Sequence, residues 1–146
     1  MGAMFSNQFN HTIDAKGRLI IPTMYREMLG EQFMVTRGTD SCLFVYTLED
    51  WTTFAEKLAA LSLVDDDAQD FARHFLAGAA RMELDKQGRI LLTPSQREYA
   101  QLDKDVVLAG VGGRIEIWDK STWDQKNAQV DIKSVMRRMK DRGFTI

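Results

Sequence analysis

Short apolar runs alternate along this chain with glycine, proline and helix-capping residues. Phe9 to Ile13 predicts a strand. Asp14-Ala15-Lys16-Gly17 then has the composition of a type I turn, with Asp first and Gly fourth. An Asp in that place can accept a hydrogen bond from the backbone two residues on. Gly17 suits the left-handed position of a G1 bulge. Arg18 to Ile21 predicts the return strand. Pro22 needs no N–H in a first helical turn and opens a helix to about Leu29, which Gly30 stops. Phe33 to Arg37 and Leu43 to Tyr46 predict two more strands. Thr47 caps the next helix, with Glu49 and Asp50 favourable in its first turn. Trp51, Phe54, Leu58 and Leu61 recur there at helical spacing. The run Asp65-Asp66-Asp67 suits the start of another helix, whose Phe71, Phe75 and Leu76 share one side.

The pattern then repeats. Asp85-Lys86-Gln87-Gly88-Arg89 echoes Asp14-Ala15-Lys16-Gly17-Arg18. Ile90-Leu91-Leu92 echoes Leu19-Ile20-Ile21, and Pro94 with Arg97-Glu98 echoes Pro22 with Arg26-Glu27. Ile115-Glu116-Ile117-Trp118 and Trp123 stand where Leu43-Phe44-Val45-Tyr46 and Trp51 stood. One small insertion accounts for the drift in offset. The second copy predicts strands Ala80 to Leu84, Arg89 to Leu92, Val106 to Ala109 and Arg114 to Trp118. Helices run from Pro94 to about Ala100 and onward from Asp119. The chain is an internal duplication, with repeats at about 8–51 and 79–123 and a helical connector at about 52–78. Each half is too small to bury much core alone. Residues 4–126 are therefore expected to form one domain, followed by a basic tail, 127–146. Ile132, Val135, Met136 and Met139 give that tail the stripe of a short amphipathic helix. Gly2-Ala3 has the look of a cloning scar, which would make Met4 the native start.

Composition narrows the classes. The 146 residues are 45% hydrophobic, enough for a core. No segment reads as a membrane span or a signal peptide. A lone Cys42 in an apolar run suits a reducing compartment and a packing role. The net charge of −2 runs against a nucleic-acid binder, but the field at the contact surface matters more than the total.

Candidate chemistry concentrates at the two turns. A basic turn shown twice is what a two-fold DNA reader needs. Lys16, Arg18, Lys86 and Arg89 are the candidate DNA contacts. Lys and Arg supply phosphate affinity, and bidentate Arg reads guanine. Asp14, Gly17, Asp85 and Gly88 support the turns. Two readings of Arg18 and Arg89 stay open: contact with DNA, or pairing with Asp14 and Asp85. Arg26 and Arg97 would either reach phosphates or pair with a neighbouring Glu. His11, His74 and Cys42 lack ligand spacing, so neither a metal nor a cofactor is expected. No nucleophile stands beside the carboxylates, and Gly110-Val111-Gly112-Gly113 reads as a turn rather than a phosphate loop. No enzyme is expected.

The paired D-x-x-G-R turns and the segment Ile115-Glu116-Ile117-Trp118 resemble the MraZ family from Met4 to about Trp123, with the tail after Lys126 outside the resemblance. The resemblance implies an α+β fold in which two interleaved AbrB-like swapped-hairpin halves make one pseudo-two-fold, barrel-like body with connecting helices. It implies a cytoplasmic, nucleoid-associated regulator of transcription. Such a protein binds short direct repeats of double-stranded DNA in the promoter of the division and cell-wall gene cluster that holds its own gene. It assembles as a homo-oligomeric ring and takes neither a membrane nor a small-molecule substrate. The alternative is a ring-forming structural protein with no DNA role.

Overall fold

The computed structural model describes residues 2–61 and 63–146. The first half contains β1 (Gln8–Thr12), β2 (Arg18–Ile20), α1 (Thr23–Leu29), β3 (Gln32–Arg37) and β4 (Leu43–Thr47). Helices α2 (Leu48–Leu61) and α3 (Asp66–Leu76) connect it to the second. There β5 (Ala80–Glu83), β6 (Arg89–Leu91), α4 (Pro94–Tyr99), β7 (Asp105–Gly110), β8 (Ile115–Asp119) and α5 (Lys120–Ala128) repeat the order. Helix α6 (Ile132–Asp141) ends the chain. Local chemistry sets these limits. Thr47 Oγ1 accepts from Asp50 N at 3.0 Å, Asp65 Oδ1 from Ala68 N at 2.7 Å, and Gly30 ends α1 at φ 79°. Asp65 thus caps a helix, the role its charge suggested.

Pairing crosses between the halves. The six-stranded antiparallel sheet has the order β1-β7-β8-β4-β3-β5, and β2 pairs with β6 in a separate ribbon. The first strand of each half therefore lies on the third strand of the other. His11 sits opposite Val106 and Met82 opposite Phe33, which are matching pairs. The pseudo-two-fold axis passes between Leu19 and Ile90 in the ribbon and between Phe44 and Glu116 in the sheet. The repeat differs by two length changes rather than the single expected insertion. Arg18 precedes Phe33 by 15 residues, whereas Arg89 precedes Val106 by 17. The turn between the sheet strands then takes one residue back: 14 separate the paired Phe33 and Thr47, 13 the paired Val106 and Asp119.

The expected barrel-like closure is not formed. Strands β2 and β6 give their backbone groups to each other across the axis. Among the described residues only the bridge Ile13–Leu19 remains between β1 and β2, and no ladder joins β5 to β6. The result is layered. Phe33, Val35, Leu43, Val45, Val106, Leu108, Ile115 and Ile117 face the ribbon with α1 and α4. Phe44, Val107 and Trp118 face the connector, against Leu58, Ala72 and Phe75. Burial on both faces explains the unbroken apolar runs of β4 and β7. Trp118 and Trp51 are buried as core residues, as is Cys42, whose thiol burial pushes well up. On α3 only Ala72 and Phe75 are buried; Phe71 and Leu76, expected on the same inner side, are exposed. Helix α6 buries none of its residues. Among the described residues no helix is long and apolar enough to cross a membrane.

Candidate nucleic-acid interface

Each turn is built on one aspartate. Gly17 N donates to Asp14 O and Gly88 N to Asp85 O, both at 3.0 Å. Asp14 Oδ1 also accepts from Lys16 N at 3.0 Å and Arg18 N at 2.9 Å. Asp85 Oδ1 does the same for Gln87 N and Arg89 N, both at 2.9 Å. Backbone donation by Arg18, followed by the side-chain contact to it, holds the Asp14 carboxyl below its ordinary range; Arg89 acts alike on Asp85. Gly17 and Gly88 lie at φ 91° and 77°, the left-handed conformation the turn demands.

The two readings of Arg18 and Arg89 are both partly realised. Arg18 Nε meets Asp14 Oδ2 at 2.6 Å, and Arg89 Nε meets Asp85 Oδ2 at 2.9 Å. The aspartate takes only Nε. Among the described residues the Nη groups of both arginines make no hydrogen bond. Each guanidinium is thus held at its base with its fork unengaged.

The ribbon brings the two turns onto one surface. Ile21 N donates to Gly88 O at 2.9 Å and Leu92 N to Gly17 O at 3.0 Å, so each turn is tied to the other half. Leu19, Ile21, Ile90 and Leu92 point into the core. Strand alternation therefore turns Arg18, Ile20, Arg89 and Leu91 outward. Arg18 pairs with Leu91 and Ile20 with Arg89. Ile20 is 42% exposed and Leu91 58%. In the sequence these two are members of apolar runs; their outward place follows from alternation once Leu19 and Ile90 are fixed inward.

Arg26 and Arg97 lie neither on a glutamate nor free in solvent. Tyr25 Oη donates to Asn7 O at 2.7 Å and reaches Leu108 O at 3.5 Å, while Gln96 Nε2 donates to Val35 O at 3.0 Å. Gln96 thereby anchors α4 on the opposite half, while Tyr25 ties α1 to the start of its own half and reaches the other at Leu108. The next residue, Arg97 or Arg26, is laid over the opposite turn. A Cβ on Gly17 would come within 2.7 Å of Arg97 Nε, and one on Gly88 would strike Arg26. Both Nε atoms are buried without a partner among the described residues. The crossing was not readable from the repeat, because nothing in it says which half each helix packs on.

Lys16 and Lys86 are both exposed at the tips but not at equivalent places. The hydrogen bonds to Asp Oδ1 align Lys16 with Gln87, and hence Ala15 with Lys86. Among the described residues no group of three His, Cys, Asp or Glu side chains is placed to hold a metal.

The fold and the site define a duplicated α+β protein with a basic turn in each half, on either side of one outward ribbon. Comparison gives its family. The family model described as "MraZ protein, putative antitoxin-like" matches twice, at residues 4–74 and 75–143. The chain belongs to the MraZ family. The second match runs well past Lys126, where the resemblance was expected to end. The chain is 49% identical over 140 residues to the transcriptional regulator MraZ of Carboxydothermus hydrogenoformans, covering 94% of this chain and 98% of that one. It is 53% identical over 131 residues to the protein of the same name from Acetivibrio thermocellus, covering 90% and 92%. It is 51% identical over 129 residues to that of Thermoanaerobacter sp. strain X514, covering 88% and 90%. These relatives are named as regulators, a non-enzymatic class.

Proposed function

We propose that the protein is a sequence-specific DNA-binding regulator of transcription that reads the major groove with its central ribbon and the two turns beside it. The observation that carries this is the unengaged Nη fork of Arg18 and Arg89 on one outward face. A two-stranded ribbon fits the major groove, and a fork of that shape reads guanine O6 and N7. Lys16 and Lys86 supply cations beside it for phosphates or base edges. Ile20 and Leu91 meet thymine methyls, the one apolar feature of that groove. Asp14, Gly17, Asp85 and Gly88 shape the turns without touching DNA. The exchange of first strands between halves supports an AbrB-like swapped-hairpin ancestry, with residues 4–126 folding as one unit and 127–146 as an appended tail.

By the same reading the operator is a set of short direct repeats in the promoter of the division and cell-wall cluster, bound by a head-to-tail ring in the cytoplasm at the nucleoid. A second reading, a ring that engages proteins and not DNA, draws on the exposed Ile132, Met136 and Phe144 of the tail and on the net charge of −2. A mobility shift with the DNA upstream of the protein's own gene, at two salt concentrations, separates them. The regulator reading expects a retarded complex that weakens steeply as salt rises. No retardation at the lower salt leaves the second reading standing.

A further inference from the structure

The two tips share a backbone but not a chemistry. Their aspartates, glycines and arginines match in hydrogen bonds and in positive φ. The ribbon between them is symmetric about Leu19 and Ile90, and its outward apolar residues, Ile20 and Leu91, are alike in kind. The symmetry breaks at two exposed positions: Ala15-Lys16 in one tip stands where Lys86-Gln87 stands in the other. Among the described residues none of the Lys16, Lys86 and Gln87 side chains has a hydrogen bond or ion pair; only the backbone N–H of Lys16 and Gln87 is engaged, by Asp14 and Asp85.

We infer that Ala15-Lys16 and Lys86-Gln87 make the two tips read different base pairs, so that one chain binds an oriented, non-palindromic stretch of duplex DNA. Lysine carries donors and no acceptor, so Lys16 favours the two acceptors of guanine, O6 and N7. Glutamine carries both, so Gln87 matches the N6 donor and N7 acceptor of adenine. Lys86 puts the cation of its tip one residue earlier, against a different point of the duplex. The inference rests on the DNA reading above and adds polarity to it. Copies joined head-to-tail would all lie on DNA in the same direction, which is what direct repeats require.

The test is selection of bound duplexes from a random pool by three full-length proteins. These are the wild type, the double variant A15K/K16Q and the double variant K86A/Q87K. Each variant gives both tips one sequence, keeps the formal net charge, and changes only exposed residues. Thermal melting confirms that each remains folded. The wild type should enrich a non-palindromic unit and prefer it roughly ten-fold or more over the same unit with one half inverted, the scale of a single mismatched base pair. Each variant should enrich a two-fold symmetric unit, adenine-reading for A15K/K16Q and guanine-reading for K86A/Q87K. A palindrome enriched by the wild type overturns the inference and leaves DNA binding intact. So does retention of the wild-type unit, or loss of all enrichment, by both folded variants. Failure of the wild type to enrich any sequence overturns the DNA reading itself, and the inference with it.

Discussion

Asp14 and Asp85 each do three jobs, closing a turn, ordering its backbone N–H groups and gripping an arginine by Nε. Those bonds favour the charged carboxylate, so both groups sit below their ordinary value of 3.8. A carboxyl whose pKa falls on folding stabilises the fold above its unfolded value; the contribution is lost as pH falls through the lower, folded one. The turns should therefore stay intact at neutral pH and loosen only below about pH 4. Carboxyl NMR titration should show both aspartates ionising at lower pH than in an unfolded peptide of the same turn. Titration at the ordinary value would mean that the turn bonds do not hold in solution. Gly17 and Gly88 are constrained twice, by positive φ and by the arginine laid over each. Gly17→Ala should destabilise by more than the conformational cost of about 1 kcal/mol. Arg97→Ala should recover part of that loss, because it clears the space the new methyl needs. Strict additivity of the two changes in thermal melts would rule out the crossed contact.

At the scale of elements, much was legible because the signals were local. The strand starts, the Thr47 cap, the Gly30 stop and both turns came from residue type and spacing alone. Strand partners did not, since a period of two fixes which residues share a face and not which strand lies alongside. The outward place of Ile20 and Leu91 was hidden within apolar runs that the core also uses. The inequivalence of Lys16 and Lys86 was present in the repeat but masked by their shared residue type. Phe71 and Leu76 lie outside because α3 turns only a narrow edge, Ala72 and Phe75, to the core. The pairing itself carries a prediction. Strands β1, β2 and β3 of the first half all take a partner from the second. A fragment of residues 4–50 alone leaves those edges open and buries too little core. It should be unfolded or a homodimer in which a second copy replaces the missing half. A dispersed NMR spectrum from a monomer would contradict this account of the fold.

At the scale of the whole molecule, a regulator of the proposed kind would offer few cationic contacts per chain on a net charge of −2, a weak hold on DNA at physiological salt. Several copies on one scaffold turn later contacts into intramolecular ones. The proposed ring closes head-to-tail, because a single isologous contact stops at a dimer. Repeats should then recur near one helical turn, roughly 10 base pairs. Inserting about half a turn between them should weaken binding sharply, while native mass spectrometry should show a closed oligomer. A monomer that binds the mis-phased DNA equally well would refute the assembly. In the proposed regulator the outward ribbon, and not the charge of the molecule at large, reads the DNA. The most direct test of that role pairs operator binding with thermal melting for the double variant R18A/R89A. The Asp–Arg pairs lie at the surface, where solvent screening leaves ion pairs little weight in stability, so the melting temperature should move little while specific binding is lost. A variant that melts far earlier, or one that still binds its operator as the wild type does, would contradict the claim.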